Sequence, residues 1–264
     1  MPRLSSPTDG TTIAYDVAGS GPPVVMLHGS ALSKAIWRGL GYVAALQDEF
    51  TVVRVDLRGH GTSGKPHDAG AYRMETLTGD VVSVMDDLEL PEAHLVGYSM
   101  GARVGFALAA AAPERATSLT SLGGTYRSQA GQIEKVFFPG YLHALRTGGM
   151  QAFIDGQQRD GSDLGSATRT AFLANDPEAM AAYFEQSETE PGLGEDILES
   201  MTLPTLLMAG TADRPRHDDS ERASKLMPNA HFVPLPERGH GNTLFPAGPV
   251  LAELLPFLRH GGRE

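Results

Sequence analysis

Seven short runs of β-prone, mostly apolar residues recur along the chain: Thr12–Val17, Pro23–Leu27, Thr51–Val55, His94–Gly97, Ser118–Leu122, Thr205–Ala209 and His231–Leu235. Most lack the apolar–polar alternation of a strand with one wet face, so they suit strands covered on both sides. Between them, Tyr72–Leu88 carries apolar residues at helical spacing and Met100–Ala111 is rich in the strong helix formers Ala and Leu. Asp219–Met227 opens with acidic residues suited to a helix N-terminus, and Ala247–Leu258 gives a closing helix. Such alternation predicts right-handed βαβ units, hence an α/β fold whose sheet is mostly parallel and flanked by helices. Thr12–Val17 reads as half of an N-terminal hairpin. From about residue 125 to 201 the rhythm breaks, leaving only helical patterns separated by Gly and Pro. A helical insertion between two sheet strands is most simply a cap over the strand ends. This divides the chain into a core domain, 1–124 with 202–264, and a helical cap subdomain, 125–201.

Gly97-Tyr98-Ser99-Met100-Gly101 falls between an apolar strand and the Ala-rich helix, the context that a Gly-x-Ser-x-Gly nucleophile turn requires. Such a turn forces the serine into an unfavourable backbone conformation, and glycines on both flanks avoid side-chain clashes. Ser99 would project at the strand's C-terminal end and the helix N-terminus, where backbone N–H groups and the helix dipole favour a developing negative charge. A serine hydroxyl needs a base. Among nine histidines, His240 is best placed, in the flexible Arg238-Gly239-His240-Gly241-Asn242 loop before the last helix. His67, His143, His217 and His260 read as surface or packed residues, and His28 and His60 as braces of the Gly-containing turns that hold them. The base in turn needs an acid to fix its tautomer. Asp213 follows the strand Thr205–Ala209, whereas Gly123-Gly124-Thr125 after the preceding strand offers no carboxylate. Asp218 and Asp219 read as caps of the next helix, and Asp56 as a carboxylate that braces its own turn.

An oxyanion hole needs two N–H donors. The Met100 N–H, directly after the nucleophile, supplies one, and the Ser30 N–H in His28-Gly29-Ser30 supplies the second, with Gly29 permitting close approach.

Composition excludes several other roles. There is no cysteine, so disulfides, thiolate catalysis and cysteine-ligated zinc are out, and a reducing cytoplasm is the expected compartment. The formal net charge of −11 disfavours a nucleic-acid partner. Met1–Gly10 has no apolar run of the kind a secretory signal needs, and the longest apolar stretch, Val104–Ala112, is roughly half of what spans a bilayer. The expected partner is a small-molecule substrate, bound by a monomer or homodimer without a metal or organic cofactor.

Together these pieces resemble the α/β-hydrolase superfamily from about residue 12 to 258. The resemblance rests on His28-Gly29, Asp56-x-Arg58-Gly59-His60-Gly61-x-Ser63, the Ser99 turn, Asp213 and Gly239-His240. It implies an eight-stranded sheet with a helical cap inserted after strand six. It also implies Ser99, Asp213 and His240 as catalytic triad, and Ser30 and Met100 as oxyanion donors. A His-Gly-x loop, in place of the Gly-Gly-Gly-x form, favours the small-hydrolase branch. Ser at position 99, where look-alike dehalogenases and epoxide hydrolases carry a carboxylate nucleophile, argues against those activities.

The expected reaction is cleavage of a carboxylic ester or lactone of a small, apolar substrate through an acyl-enzyme. Phe137, Phe138 and Tyr141, with other cap aromatics, are candidates to line the pocket; the alternative is that they join cap to sheet as core. Arg103, one helical turn past Ser99, is a candidate ligand for a substrate carboxylate. Gly-Tyr-Ser-Met-Gly-Ala-Arg also looks like the elbow of a menaquinone-pathway synthase that eliminates pyruvate. That lyase and a C–C bond hydrolase would use the same triad. A ligand-binding member without catalysis is the remaining alternative.

Overall fold

The computed structural model describes residues 2–162 and 164–261. Eight strands form one sheet: β1 (Arg3–Ser5), β2 (Thr12–Ala18), β3 (Pro23–Leu27), β4 (Thr51–Asp56), β5 (Ala93–Tyr98), β6 (Ala116–Leu122), β7 (Thr205–Gly210) and β8 (Ala230–Leu235). Their spatial order is β1-β2-β4-β3-β5-β6-β7-β8, with β1, β2 and β4 paired antiparallel and every other pair parallel. The helices are α1 (Ala35–Gly39), α2 (Tyr42–Leu46), α3 (Met74–Asp87), α4 (Met100–Ala111), α5 (Ile133–Val136), α6 (Tyr141–Arg159), α7 (Ser166–Leu173), α8 (Pro177–Thr189), α9 (Glu195–Ser200), α10 (Arg214–Leu226) and α11 (Ala247–Arg259).

The continuous apolar runs of β3, β4 and β5 have the cause expected of them, because both faces of the sheet are covered. Val25, Leu27, Val53, Val55 and Leu95 point to one side, where α3 and α4 supply Leu77, Val81, Val84 and Val104. Val24, Met26, Val52 and Val96 point to the other, against Trp37 of α1, Tyr42 and Leu46 of α2, and Val250 and Leu254 of α11. Alternate residues thus feed two separate cores, as the two-residue period of a strand dictates. Between β6 and β7 lie α5 to α9 and no strand among the described residues. No helix of the described residues is long and apolar enough to cross a membrane.

Two differences from the sequence reading have clear physical causes. Helix α10 starts at Arg214, not Asp219, because Pro215 occupies its first turn, where a missing N–H is harmless and a fixed φ helps. Asp218 and Asp219 therefore lie inside α10 and do not cap it. The three-residue β1, too short to show a pattern, completes the hairpin with β2 and the count of eight.

The strand order places the site. From β3 the chain steps to β4 on one side, then returns over β3 to β5 on the other. The connections after β3 and β5 diverge at this switch, leaving a crevice at the C-terminal strand ends where α/β proteins bind ligands.

Candidate active site

Ser99 sits alone between the last residue of β5 and the first of α4, with φ 52° and ψ −110°. A non-glycine residue there costs on the order of 1–3 kcal/mol and must be held by its surroundings. The Ser99 N–H donates to the Leu122 carbonyl of β6 at 3.0 Å. A Cβ on Gly97 would stand 2.4 Å from the Ala102 nitrogen, and one on Gly101 would stand 2.1 Å from the Leu27 carbonyl oxygen. Bare backbone at both positions lets α4 press against β3 and β5, which aims Ser99 outward.

His240 comes from the loop after β8. Its Nε2 lies 2.9 Å from Ser99 Oγ and its Nδ1 lies 2.6 Å from Asp213 Oδ2. Asp213 is 8% exposed and immediately precedes α10, in the loop after β7. The two loops are tied together, the Ala212 N–H donating to the Arg238 carbonyl at 2.9 Å. The Arg238 guanidinium donates to the carbonyls of Thr243 and Pro246, both at 2.7 Å, clamping the turn that carries His240. The Tyr98 ring stacks on the His240 ring at 5.6 Å, and its hydroxyl donates to the His240 carbonyl at 2.8 Å. Burial pushes the Tyr98 hydroxyl well above its ordinary pKa, so it remains a donor. Tyr98 and Arg238 were not singled out in the sequence. Tyr98 stands in the variable position of Gly-x-Ser-x-Gly, where nothing announces an aromatic brace.

The loop after β3 lies beside this turn because β3 and β5 are neighbours, with Leu27 opposite Gly97. Gly29 faces the Tyr98 ring, where a Cβ would come within 2.8 Å. Ser30 and Met100 line the same cavity as Ser99. Met100 is the first residue of α4, so its N–H has no partner within the helix. The Ser30 N–H donates to no acceptor among the described residues, while Ser30 Oγ meets the Tyr183 hydroxyl of α8 at 2.9 Å.

His28, His60 and Asp56 sit behind the site. His28 Nε2 accepts from the Leu57 N–H at 3.1 Å, and its Nδ1–H donates to the Gly29 carbonyl at 2.9 Å. His60 Nδ1–H donates to the Arg58 carbonyl at 2.9 Å. Both rings are fully buried, which lowers both pKa values, that of His60 to about 3, and keeps the rings neutral. Asp56 accepts from the Lys34 ammonium at 2.6 Å, the Lys34 N–H at 2.8 Å and the Thr62 N–H at 2.9 Å. None of the three lines the cavity; they fix the turns after β3 and β4.

The cavity has about 410 Å³ of empty space, part of it open to solvent. Its lining includes the apolar Ile133, Val136, Phe137 and Phe184 and the polar Arg103, Arg216, Gln129 and Thr125. The aromatic expectation divides here. Both rings pack on Phe153, at 5.0 Å for Phe137 and 5.7 Å for Phe138, but only Phe137 also lines the cavity that holds Ser99, while Phe138 is 7% exposed and lies outside that lining. Tyr141 packs edge-on to Phe184 at 5.2 Å, and its hydroxyl donates to Glu188 at 2.8 Å. Phe138 and Tyr141 are thus buried among the aromatics of the helical segment and do not line the cavity that holds Ser99. Arg103 lines the cavity as anticipated; Arg216 and Gln129 were missed. Arg216 had no signal in the sequence, because its place three residues after Asp213 matters only once α10 is known to begin at Arg214.

Comparison with known proteins agrees with this architecture. A family model for the alpha/beta hydrolase fold matches residues 22–186, more than half of the chain. The chain belongs to the α/β-hydrolase family. RutD of Caulobacter segnis, provisionally named a carbamate hydrolase, is 30% identical over 267 residues, covering 95% of this chain and 98% of that protein. The 3-oxoadipate enol-lactonase 2 of Acinetobacter baylyi is 26% identical over 201 residues, 73% of this chain and 72% of its own. Among solved structures, the enol-lactonase from Burkholderia xenovorans LB400 superposes with a TM-score of 0.83 at 26% identity, over 98% of this chain and all of that one.

Proposed function

We propose that this protein is a serine hydrolase that cleaves a carboxylic ester or lactone of a small substrate through an acyl-enzyme intermediate. The observation that carries the reading is the relay of 2.9 Å from Ser99 Oγ to His240 Nε2 and 2.6 Å from His240 Nδ1 to Asp213 Oδ2. These distances put a base in reach of the hydroxyl and an acid in reach of the base. His240 takes the Ser99 proton as the oxygen attacks the substrate carbonyl carbon, and Asp213 holds the ring and offsets the imidazolium charge. The tetrahedral oxyanion settles against the N–H groups of Met100 and Ser30, each worth roughly 3 kcal/mol of transition-state stabilisation. His240 then protonates the leaving alkoxide, the carbon–oxygen bond breaks, and a water deprotonated by His240 hydrolyses the ester to Ser99.

The named activities of the enol-lactonases and the carbamate hydrolase to which the chain is similar support this reaction class. In this reading residues 125–201 act as a cap over a core of 1–124 and 202–264. Phe137 and Phe184 hold the substrate's carbon skeleton. A fluorophosphonate probe with a panel of p-nitrophenyl esters and lactones tests the proposal. Wild type should label and turn over, and Ser99→Ala should do neither. Equal labelling of both would overturn it.

A further inference from the structure

Resting on the hydrolase reading, we propose that Arg103 and Arg216 form a carboxylate-binding subsite, so that the substrate is an ester or lactone bearing a free carboxylate of its own. Other cations that this protein buries are paired. Lys34 pairs with Asp56 at 2.6 Å, Arg58 with Asp80 at 2.7 Å and Arg54 with Asp16 at 3.2 Å. Arg238, also buried, gives its donors to two backbone carbonyls. Buried Arg216 and half-buried Arg103 break the pattern. Arg216 is 5% exposed and spends one N–H on Gln129 Oε1 at 2.7 Å. Among the described residues Arg216 has no carboxylate partner, and Arg103 has no hydrogen-bond partner at all. Both line the cavity that holds Ser99.

The acids nearest to them are committed elsewhere. Glu190 accepts from the Met74 N–H and from Gln186, Asp219 from Thr125 and Arg127, and Asp213 from His240. Burial lowers the pKa of both guanidinium groups, and the Arg216 charge adds to that effect at Arg103, yet an arginine does not discharge in a protein. A cavity in a chain of net charge −11 therefore presents two cations with unspent, planar donor forks. Such forks match a carboxylate, which would supply the missing counter-ion. Arg103 lies in the first turn of α4, four residues after Ser99, and Arg216 in the first turn of α10, three after Asp213. Each thus rides on the helix that follows directly from a member of the relay, so a carboxylate bound there is held at a fixed distance from the reacting carbonyl. The apolar residues of the same lining suit the carbon chain between the two ends.

The test compares p-nitrophenyl hemiglutarate with neutral p-nitrophenyl butyrate, and also measures melting of Ser99→Ala with and without glutarate. Wild type should favour the hemiester at least tenfold in kcat/KM. Arg103→Met and Arg216→Met should each reduce that ratio at least tenfold, chiefly through KM, and the Lys variants should retain part of it. Glutarate should raise the Tm of Ser99→Ala, and adding either Met substitution should abolish the rise. Loss of the rise supports the subsite even if no ester is turned over, an outcome that would sink only the hydrolase reading. Turnover of the neutral ester with no preference for the hemiester and no glutarate effect would overturn the subsite and leave the hydrolase standing.

Discussion

Replacing Asp213 by Asn keeps the size of the side chain and removes its charge, so it isolates what the carboxylate does for His240. The acceptor oxygen is 2.6 Å from His240 Nδ1, with side chains only 17% and 7% exposed for His240 and Asp213. At an effective dielectric of about 20, a charge pair at that distance attracts by about 6 kcal/mol. In the proposed reaction this attraction comes into play as the ring takes the Ser99 proton, so its loss falls on the barrier. About 6 kcal/mol corresponds to roughly a 10⁴-fold fall in kcat. The amide also permits the wrong imidazole tautomer, a fault of the same order in serine hydrolase triads. The assay is steady-state turnover of p-nitrophenyl acetate, with fluorophosphonate labelling rate as a second readout and a thermal melt to show that the variant is folded. A folded Asp213→Asn enzyme within tenfold of wild type in kcat would refute the assigned role.

Three further outcomes concern the frame behind the site. Gly101→Ala should cost about 3 kcal/mol, because its Cβ would meet the Leu27 carbonyl oxygen at 2.1 Å, whereas Gly79→Ala, with open space in α3, should gain about 0.5–1 kcal/mol; urea unfolding of the pair checks both signs. Lys34→Met leaves the Asp56 carboxylate buried without its ammonium and should cost about 3 kcal/mol or more in the same assay. His60, with its pKa near 3 in the folded protein, refuses a proton that the unfolded chain accepts below about pH 6.5, so stability falls as pH drops through that window. The slope is about 1.4 kcal/mol per pH unit, and His60→Gln should shrink the loss between pH 7 and pH 5 by up to about 2 kcal/mol; an unchanged loss would show that His60 is not its source.

The sheet was legible because burial on both faces writes itself into unbroken apolar runs. Strand β3 was read to the residue and β2 and β4 to β8 to within a residue or two at their ends, while the three-residue β1 was not seen. Helix α4 was equally plain, since alanine-rich sequence leaves little choice of conformation. Legibility failed where local composition is overruled from outside. Residues Arg214 to Asp218 are almost all charged or proline, so without the sheet above them they read as loop, and Arg216 passed unnoticed. The short helices α1 and α2 have too few turns for a period to show, and they are held by Trp37 and Tyr42 packing edge to face at 5.3 Å. Aromatics such as Phe137 and Phe138 cannot be sorted into pocket and core from spacing, because a single turn of irregular backbone decides which way each points.

The strained Ser99 and the unpartnered arginines share a cause that goes beyond sequence. Each would be expelled from an ordinary core, and each is retained where rigid backbone leaves no cheaper arrangement. Ser99 cannot relax from φ 52° without breaking its N–H bond to Leu122 or lifting α4 off Leu27. The loop bearing Ser30 cannot drift, because His28 ties Leu57 to Gly29 and Asp56 ties Lys34 to Thr62. The buried, neutral histidines and the Lys34–Asp56 pair therefore hold the loop that carries the Ser30 N–H. It follows that a substitution such as Lys34→Met, remote from the cavity, should slow turnover as well as lower stability, by moving the Ser30 N–H. The effect on kcat should exceed that on KM, since in the proposed reaction this N–H acts on the transition state and not on the bound ester.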